Sequence, residues 1–337
     1  MSTIQGRMSR SCDLMEEQGP HLLRRFKKSG RQVRRQTMQG GAKVGTGRAS
    51  ALVLAAGVLW GVIGVFTKAL TAAGLSSVEI TTVRMFVGAA GMLLVLLPTD
   101  RSKLCIRPRH LWMFVGTGIV SVVLFNVCYF TCIQLSEVSI AVVLLYTSPL
   151  WVTLMGAVLF RESLTPLKIG ALAMTLVGCA LVAGLAGGAV VLSPLSLGLG
   201  VASGFFYALY SIFGRVALEH YSSETVTFYT FFMGAACLAF LGNPAHICSV
   251  IAADPGAGLW CAGIGLVCTI GPYLLYTKGL EHMETGRAAI LATAEPLVGA
   301  VLGICVFGES AGVAKLCGMA LILAAVVVLN LPRPERE

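Results

Sequence analysis

Charge is scarce in this chain. Asp, Glu, Lys and Arg make up 12% of its residues, against about 25% in an ordinary soluble domain. The five histidines include no H-E-x-x-H and no cluster at metal-ligand spacing, so no metal site is expected. The 11 cysteines are scattered, with no C-x-x-C pair. Cys128 and Cys132 share a helix face, where free thiols act as small hydrophobes. No G-x-x-x-x-G-K-[ST] loop occurs, so ATP lacks its phosphate cradle and no cofactor is implied. Short segments of alternating polarity are also missing, which argues against a membrane β-barrel.

What is abundant is apolar length. The 337 residues are 56% hydrophobic with a mean hydropathy of +0.82. The apolar runs reach about 20 residues, enough for a helix to cross a ~30 Å hydrocarbon core. Ten such runs lie near 52–73, 79–97, 110–133, 138–159, 166–186, 196–217, 225–242, 258–280, 286–307 and 313–331. The chain therefore reads as an all-α integral membrane protein of ten transmembrane helices with short loops.

The net charge of +9 invites a nucleic-acid reading, but its placement argues for topology. Eleven of the 25 basic residues precede residue 50, and "DRSKLCIRPRH" supplies Arg101, Lys103, Arg107 and Arg109. With a cytoplasmic N-terminus, 22 of the 25 fall on one side, and the positive-inside rule then puts both termini in the cytoplasm. Residues 1–49 form a basic segment without an apolar h-region, so they are not a cleavable signal peptide. A disordered cytoplasmic tail is expected there; a lipid-attracted arm and a start of translation at Met38 are the other readings. Residues 332–337 form a second short tail.

A repeat organises the rest. Shifting the chain by 147 residues lays "YFTCIQLSEVSIAVVLLYTSPLWVTLMGAVLFRES" on "YTKGLEHMETGRAAILATAEPLVGAVLGICVFGES" without a gap. Glu137 meets Glu284, Pro149 meets Pro296, Gly156 meets Gly303, Glu162 meets Glu309, and Lys168 meets Lys315. Trp60, Phe66 and Lys68 meet Tyr207, Phe213 and Arg215. The expected units are residues 51–186 and 196–331, five helices each. Five is odd, so the second unit must be inverted in the membrane relative to the first. Inverted repeats of this kind build secondary transporters, with the site near the midplane where the halves meet.

One span carries a carboxylate and a helix breaker together. In "ILATAEPLVGAVLGICVF", Glu295 precedes Pro296, and Ser148 precedes Pro149 at the matching position. Proline leaves the carbonyl four residues earlier unbonded, and such groups are tolerated in a bilayer where they face protein or a watery cavity. Pro149 and Pro296 are therefore expected as helix breaks lining a cavity. Glu295 has three competing roles: binding a cationic or amine-bearing substrate, carrying a coupling proton, or serving as a structural acid bonded to a neighbouring helix.

Arg84 falls about 9 Å below the interface at 1.5 Å per residue. It needs a partner or a cavity, and either contacts an anionic substrate group or anchors its helix. Trp60, Asn126, Tyr146, Tyr207, Tyr210 and Tyr273 are polar-tipped side chains whose hydrogen-bonding ends a cavity would satisfy. Asn126 matches Tyr273 and Trp60 matches Tyr207 across the repeat. Tyr129 and Tyr276, nearer the span ends, are expected as interface anchors, and Glu79 and Lys68 as an interfacial pair. Gly57-x-x-x-Gly61 and Gly299-x-x-x-Gly303 are expected packing faces. Thr165 before Pro166 reads as an N-cap. Glu162 and Glu309 read as solvated or capping carboxylates at opposite surfaces.

These residues resemble the EamA-like branch of the drug/metabolite transporter superfamily. The resemblance rests on "ILATAEPLVGAVLGICVFGES", on "YTSPLWVTLMGAVLFRES" with Arg161 where a glycine would stand, on "LWGVIGVFTKAL" and on the Arg84 segment. It covers residues 51–331. It implies a ten-helix carrier of the inner or plasma membrane that exports a small organic solute such as an amino acid, metabolite or drug, as a monomer or homodimer, with proton coupling open and no nucleic acid as partner. No catalytic residue is assigned. The rival classes are a membrane-embedded enzyme, which would need clustered acids, histidines or a nucleophile within the spans, and a non-transporting scaffold, which would need neither paired proline breaks nor a polar cavity.

Overall fold

The computed structural model describes residues 42–136, 138–184, 193–310 and 312–330, and the described residues contain no strand. The expected N-terminal tail lies outside the described residues as far as residue 41, and the C-terminal tail lies outside them too. From Ala42 the chain is helical, so helix begins before the expected boundary at residue 50. Ala49 is buried with its carbonyl packed beside Gly279, and that tertiary contact extends the helix past the apolar run.

The principal helices are α1 (Gly47–Ala72), α2 (Ser77–Thr99), α3 (Pro108–Leu135), α4 (Ile140–Phe160), α5 (Pro166–Val182), α6 (Pro194–Ala217), α7 (Ser223–Leu241), α8 (Pro244–Ala253), α9 (Pro255–Leu280), α10 (Thr285–Phe307) and α11 (Val313–Asn330). Among the described residues nine are long and apolar enough to cross a membrane. The expected fifth span, α5, has 17 described residues, short of the ~20 a straight crossing needs. The short α8 comes from a stretch that was not expected to be helical. Asn243 caps it in the left-handed region at φ 44°, and its side chain accepts from His246 N.

Local chemistry sets several helix ends. Ser76 and Glu79 form a reciprocal capping box at α2, satisfying donors that a helix start leaves free. Thr165 accepts from Lys168 N at 3.3 Å ahead of Pro166, as its spacing predicts. Helix α4 stops at Arg161 (φ 57°) and α10 at Gly308 (φ 67°), positions 147 apart. Both helices end in the left-handed conformation glycine adopts freely. Arg161 holds it at a cost of roughly 1–2 kcal/mol, and Glu162 then bonds back to Gly156 O at 3.1 Å, as Glu309 does to Gly303 O at 3.0 Å.

The packing is reciprocal. Helix α1 lies on α9 and α10, α6 lies on α3 and α4, α2 pairs with α7, and α5 pairs with α11. One end of the bundle, called proximal below, gathers residues 101–110, 161–165, 218–222 and 281–284. The distal end gathers residues 73–76, 242–254 and 308–310. At it Glu79 pairs with His246 at 2.7 Å and Lys68 lies 3.9 Å over the Phe307 ring. The expected Glu79–Lys68 pair does not form, because each side chain finds a nearer partner on another element.

Candidate functional site

Five helices lose regular winding at mid-bundle, α1 at Val62 among them. Helix α4 breaks at Tyr146–Thr147 and α10 at Thr293, each just before its proline. Helix α3 is π-wound over Gly116–Val123 and α9 over Leu266–Ile270. π-winding is uncommon and concentrates at functional sites. The carbonyls next to the proline breaks face other helices at close range. Ala292 O would lie 2.9 Å from a Cβ on Gly57 of α1, and Leu145 O 3.1 Å from one on Gly204 of α6. Only glycine permits that approach at either place, and the two glycines are 147 residues apart.

Between these breaks lies a central cavity. Its walls are Trp60 of α1, Ser121 and Phe125 of α3, Tyr146, Ser148 and Pro149 of α4, Tyr207, Tyr210 and Ser211 of α6, Tyr273 and Tyr276 of α9, and Thr293 and Glu295 of α10, with small apolar residues between them. The rings interlock edge to face. Trp60 meets Tyr273 at 5.4 Å, Tyr210 meets Tyr273 at 5.1 Å and Phe125 meets Tyr207 at 5.2 Å. Such pairs contribute about 0.5–1.5 kcal/mol each beyond burial, so the box is preorganised. Two hydroxyls are spent within the wall: Tyr210 bonds Thr277 Oγ1 at 2.8 Å and Tyr276 bonds Ser211 Oγ at 2.7 Å. Glu295, which shares the wall with Tyr146, brings the one acidic group in the lining. The free space is about 40 Å³, enough for two or three waters, so a larger solute requires the walls to part.

The sequence-selected residues divide accordingly. Trp60, Tyr146, Tyr207, Tyr210, Tyr273, Pro149 and Glu295 converge on this cavity. Pro296 faces a second, larger space on the distal side. Asn126 does not line the central cavity: its amide donates to Val122 O at 2.7 Å and accepts from Thr81 Oγ1 at 3.3 Å, tying α3 to α2. Arg84 sits behind the wall. Its Nε donates to Thr269 Oγ1 at 3.1 Å, and Thr269 donates to Ile264 O across the π-turn. The guanidinium is thus fixed to the irregular segment of α9, and its charge acts on Glu295. Tyr276 was expected at an interface but is buried in the cavity wall; its bond to Ser211 on α6 draws it inward. Ser211 and Thr277 were not singled out, and a hydroxyl one turn from a tyrosine was the available signal.

The second space, of about 210 Å³, runs from Tyr146 and Pro296 between α4, α5 and α10 to Glu309 and Lys315 at the distal end. Tyr146 belongs to both linings. The proximal end is tightly joined. Glu162 Oε1 accepts from Thr285 N and Thr285 Oγ1, both at 2.6 Å, while Oε2 accepts from Gly286 N at 3.1 Å and Lys168 Nζ at 3.0 Å. Lys168 also reaches Glu284 at 3.3 Å. Arg215, buried, donates to Leu280 O and Met283 O and holds the end of α9. Among the described residues no three His, Cys, Asp or Glu side chains group as a metal site.

Comparison with known proteins fits this geometry. The EamA-like transporter family matches the chain twice, over residues 47–184 and 195–331. A transporter of Archaeoglobus fulgidus, described as uncharacterized, is 31% identical over 286 residues, covering 83% of this chain and 94% of its own. The transporter YwfM of Bacillus subtilis is 24% identical over 85% of this chain and 95% of its own length. The inner membrane transporter YicL of Salmonella typhimurium is 28% identical over 84% and 95%. A solved structure superposes with a TM-score of 0.71 at 19% identity, covering 84% of this chain and 96% of that one, which speaks for the fold alone.

Proposed function

This chain belongs to the EamA-like transporter family and is a multi-pass membrane protein, and from that premise we propose that it is a secondary carrier working by alternating access. In this reading α5 completes a set of ten membrane helices, arranged as two inverted units of five, with both termini in the cytoplasm and the chain in the inner or plasma membrane. The offset of 147 residues, the matched helix breaks and left-handed caps, the reciprocal packing and the twofold family match all support it. The same features speak against an enzyme or a scaffold, since matched breaks converging on a central cavity serve neither.

The observation that carries the proposal is Glu295 in an aromatic box between two broken helices. A single carboxylate set among Trp60, Tyr146, Tyr207 and Tyr273 offers charge attraction at one point and ring faces elsewhere. That combination suits a solute with a cationic nitrogen on an apolar or aromatic body. Arg84 behind the wall gives the site a positive counterpart and favours a solute that also bears an anionic or strongly polar group. The second reading, favoured by the place of Glu295 as the one acidic group in the cavity lining, makes Glu295 the carrier of a coupling proton. Export is the expected direction.

Counterflow in proteoliposomes tests this. Labelled amino acids, aromatic amines and neutral sugars are offered to wild type and to Glu295→Gln. Exchange of amines, lost in the variant, supports substrate binding at Glu295. Retained exchange with loss of pH-driven accumulation assigns Glu295 to the proton. Preference for sugars, with the variant unaffected, overturns both roles.

A further inference from the structure

The two ends of the bundle carry the same residues in different states. At the proximal end, Glu162 leaves only 7% of its side chain exposed and Lys168 3%, and Arg215 is buried at 8%. Two of the three matching residues at the distal end are open to solvent, and Lys315, the match of Lys168, is 18% exposed. Glu309 is 54% exposed and Lys68 is exposed over the Phe307 ring. Lys315 still holds Glu309 at 2.6 Å, so the pair inside each half persists. What differs is how far it is enclosed by the opposite half. The larger cavity reaches the surface beside Glu309 and Lys315.

Resting on the carrier reading above, we propose that Glu162 and Glu309 are the two gate latches of this chain. Glu162 ends α4 and grips the start of α10 when the proximal end is shut. Glu309 ends α10 and grips the start of α4 when the distal end is shut. The structure is the first of these states. The repeat supplies the second register: Val138 and Ser139 stand to Glu309 as Thr285 and Gly286 stand to Glu162.

The chemistry of the closed latch explains why it holds. A helix start presents unbonded N–H groups and a positive dipole end. Glu162 takes two of those N–H groups, one hydroxyl and one ammonium. Charge-assisted bonds of this kind are roughly twice as strong as neutral ones. Close packing completes the seal: a Cβ on Gly156 would sit 2.7 Å from Thr285 Oγ1, and one on Gly286 2.7 Å from Lys168 Cε and 2.9 Å from Thr153 Oγ1. Both latches belong to the same two helices, and each helix is broken beside its proline at the cavity. Straightening one pair of ends therefore parts the other, with Tyr146 and Thr293 at the pivot. Solute in the box meets an open path on one side only.

Hydrogen–deuterium exchange on the full chain in lipid nanodiscs reads both ends at once. Amides of residues 281–289 report the proximal end and those of residues 305–310 the distal end, roughly 30 Å away along α10. Glu162→Gln is expected to speed proximal exchange by about tenfold, the effect of weakening a charged hydrogen-bond set, and to slow distal exchange. Glu309→Gln is expected to slow proximal exchange by a similar factor, because it destabilises the state in which that end opens. Gly286→Ala keeps every charge and should act like Glu162→Gln by wedging the seal, so the test survives if Glu162→Gln fails to fold. Faster proximal exchange in Glu162→Gln with no distal response would mean a local cap and nothing more, overturning the proposal. So would shifts of one sign in Glu162→Gln and Glu309→Gln. Counterflow of the same variants in proteoliposomes separates the two readings: solute exchange without the opposed response removes the latches and keeps the carrier, whereas the opposed response without exchange of any tested solute keeps the coupled ends and removes the carrier.

Discussion

The stretches 47–184 and 195–331 match one family and share their backbone devices, yet they differ in chemistry at matched positions. Both break at mid-helix before a proline, and both let a glycine of another helix touch a carbonyl at the break. At the residue before that proline, however, one stretch has Ser148 and the other Glu295, and both line the cavity. The acid–lysine pair at the helix end likewise occurs twice, once sealed as Glu162–Lys168 and once with its carboxylate half exposed as Glu309–Lys315. The lesson is a division of labour. Repetition supplies the helix breaks, and departures from repetition supply the charge in the cavity lining and the asymmetry between ends.

The largest effect expected from this contrast is on stability. Lys168→Met removes one partner of a buried pair and leaves Glu162 with its charge enclosed, a change that costs about 3–5 kcal/mol. The matching Lys315→Met acts on a carboxylate already in water and should cost less than about 1 kcal/mol. Thermal unfolding of the two variants in one detergent measures the difference. Equal losses would show that the two ends are not distinguished by burial and would dissolve the contrast.

A smaller effect separates the two breaks in function. Ser148→Ala removes a neutral hydroxyl and should reduce solute exchange by about fivefold, the worth of one ordinary hydrogen bond. Glu295→Ala, which removes a charged partner, should reduce it by tenfold to about a hundredfold. Initial rates of counterflow at matched protein incorporation read both. A Ser148 effect as large as that of Glu295 would place recognition on the shared scaffold and not on the one acid.

How much of this could be read from the sequence follows from where the information resides. Apolar runs, the register of Pro149 on Pro296 and the Glu-Pro dipeptide are local or periodic, and they point directly to spans, breaks and a charged cavity residue. Thr165 as a cap is equally local. Asn126 and Tyr276 went the other way for a common reason. Depth along a span can be counted, but the direction a side chain faces is set by neighbours such as Thr81 and Ser211 that lie far off in the chain. Glu162 was legible as a capping carboxylate, while the helix it caps, α10, begins more than a hundred residues later. The end of α5 at Val182 is set by Ala183 as its cap and by Gly184 in the left-handed region at φ 84°, a stop that the apolar run to residue 186 does not announce.

The least of the expected effects concerns one more departure between matched positions. Glu219 follows α6 where the first stretch has Ala72, and it is half-buried beside Arg215. Burial pushes its carboxyl up to about 7 from an ordinary 4.5, with Arg215 pulling the other way. The folded chain therefore holds a proton that the unfolded chain releases near its ordinary value. For an acid raised in this way, stability is greatest at low pH and declines as pH rises through the window from 4.5 to about 7. Glu219→Gln keeps the shape and cannot titrate, so its melting temperature should fall less than that of wild type across that window. The two should coincide near its lower edge, where wild-type Glu219 is already neutral. Because the group is partly in water, solvent screening makes the shift small, and the comparison needs melting curves in one lipid at several closely spaced pH values. Parallel curves across the window would mean that Glu219 is charged in the folded chain throughout, with Arg215 outweighing burial at the proximal end.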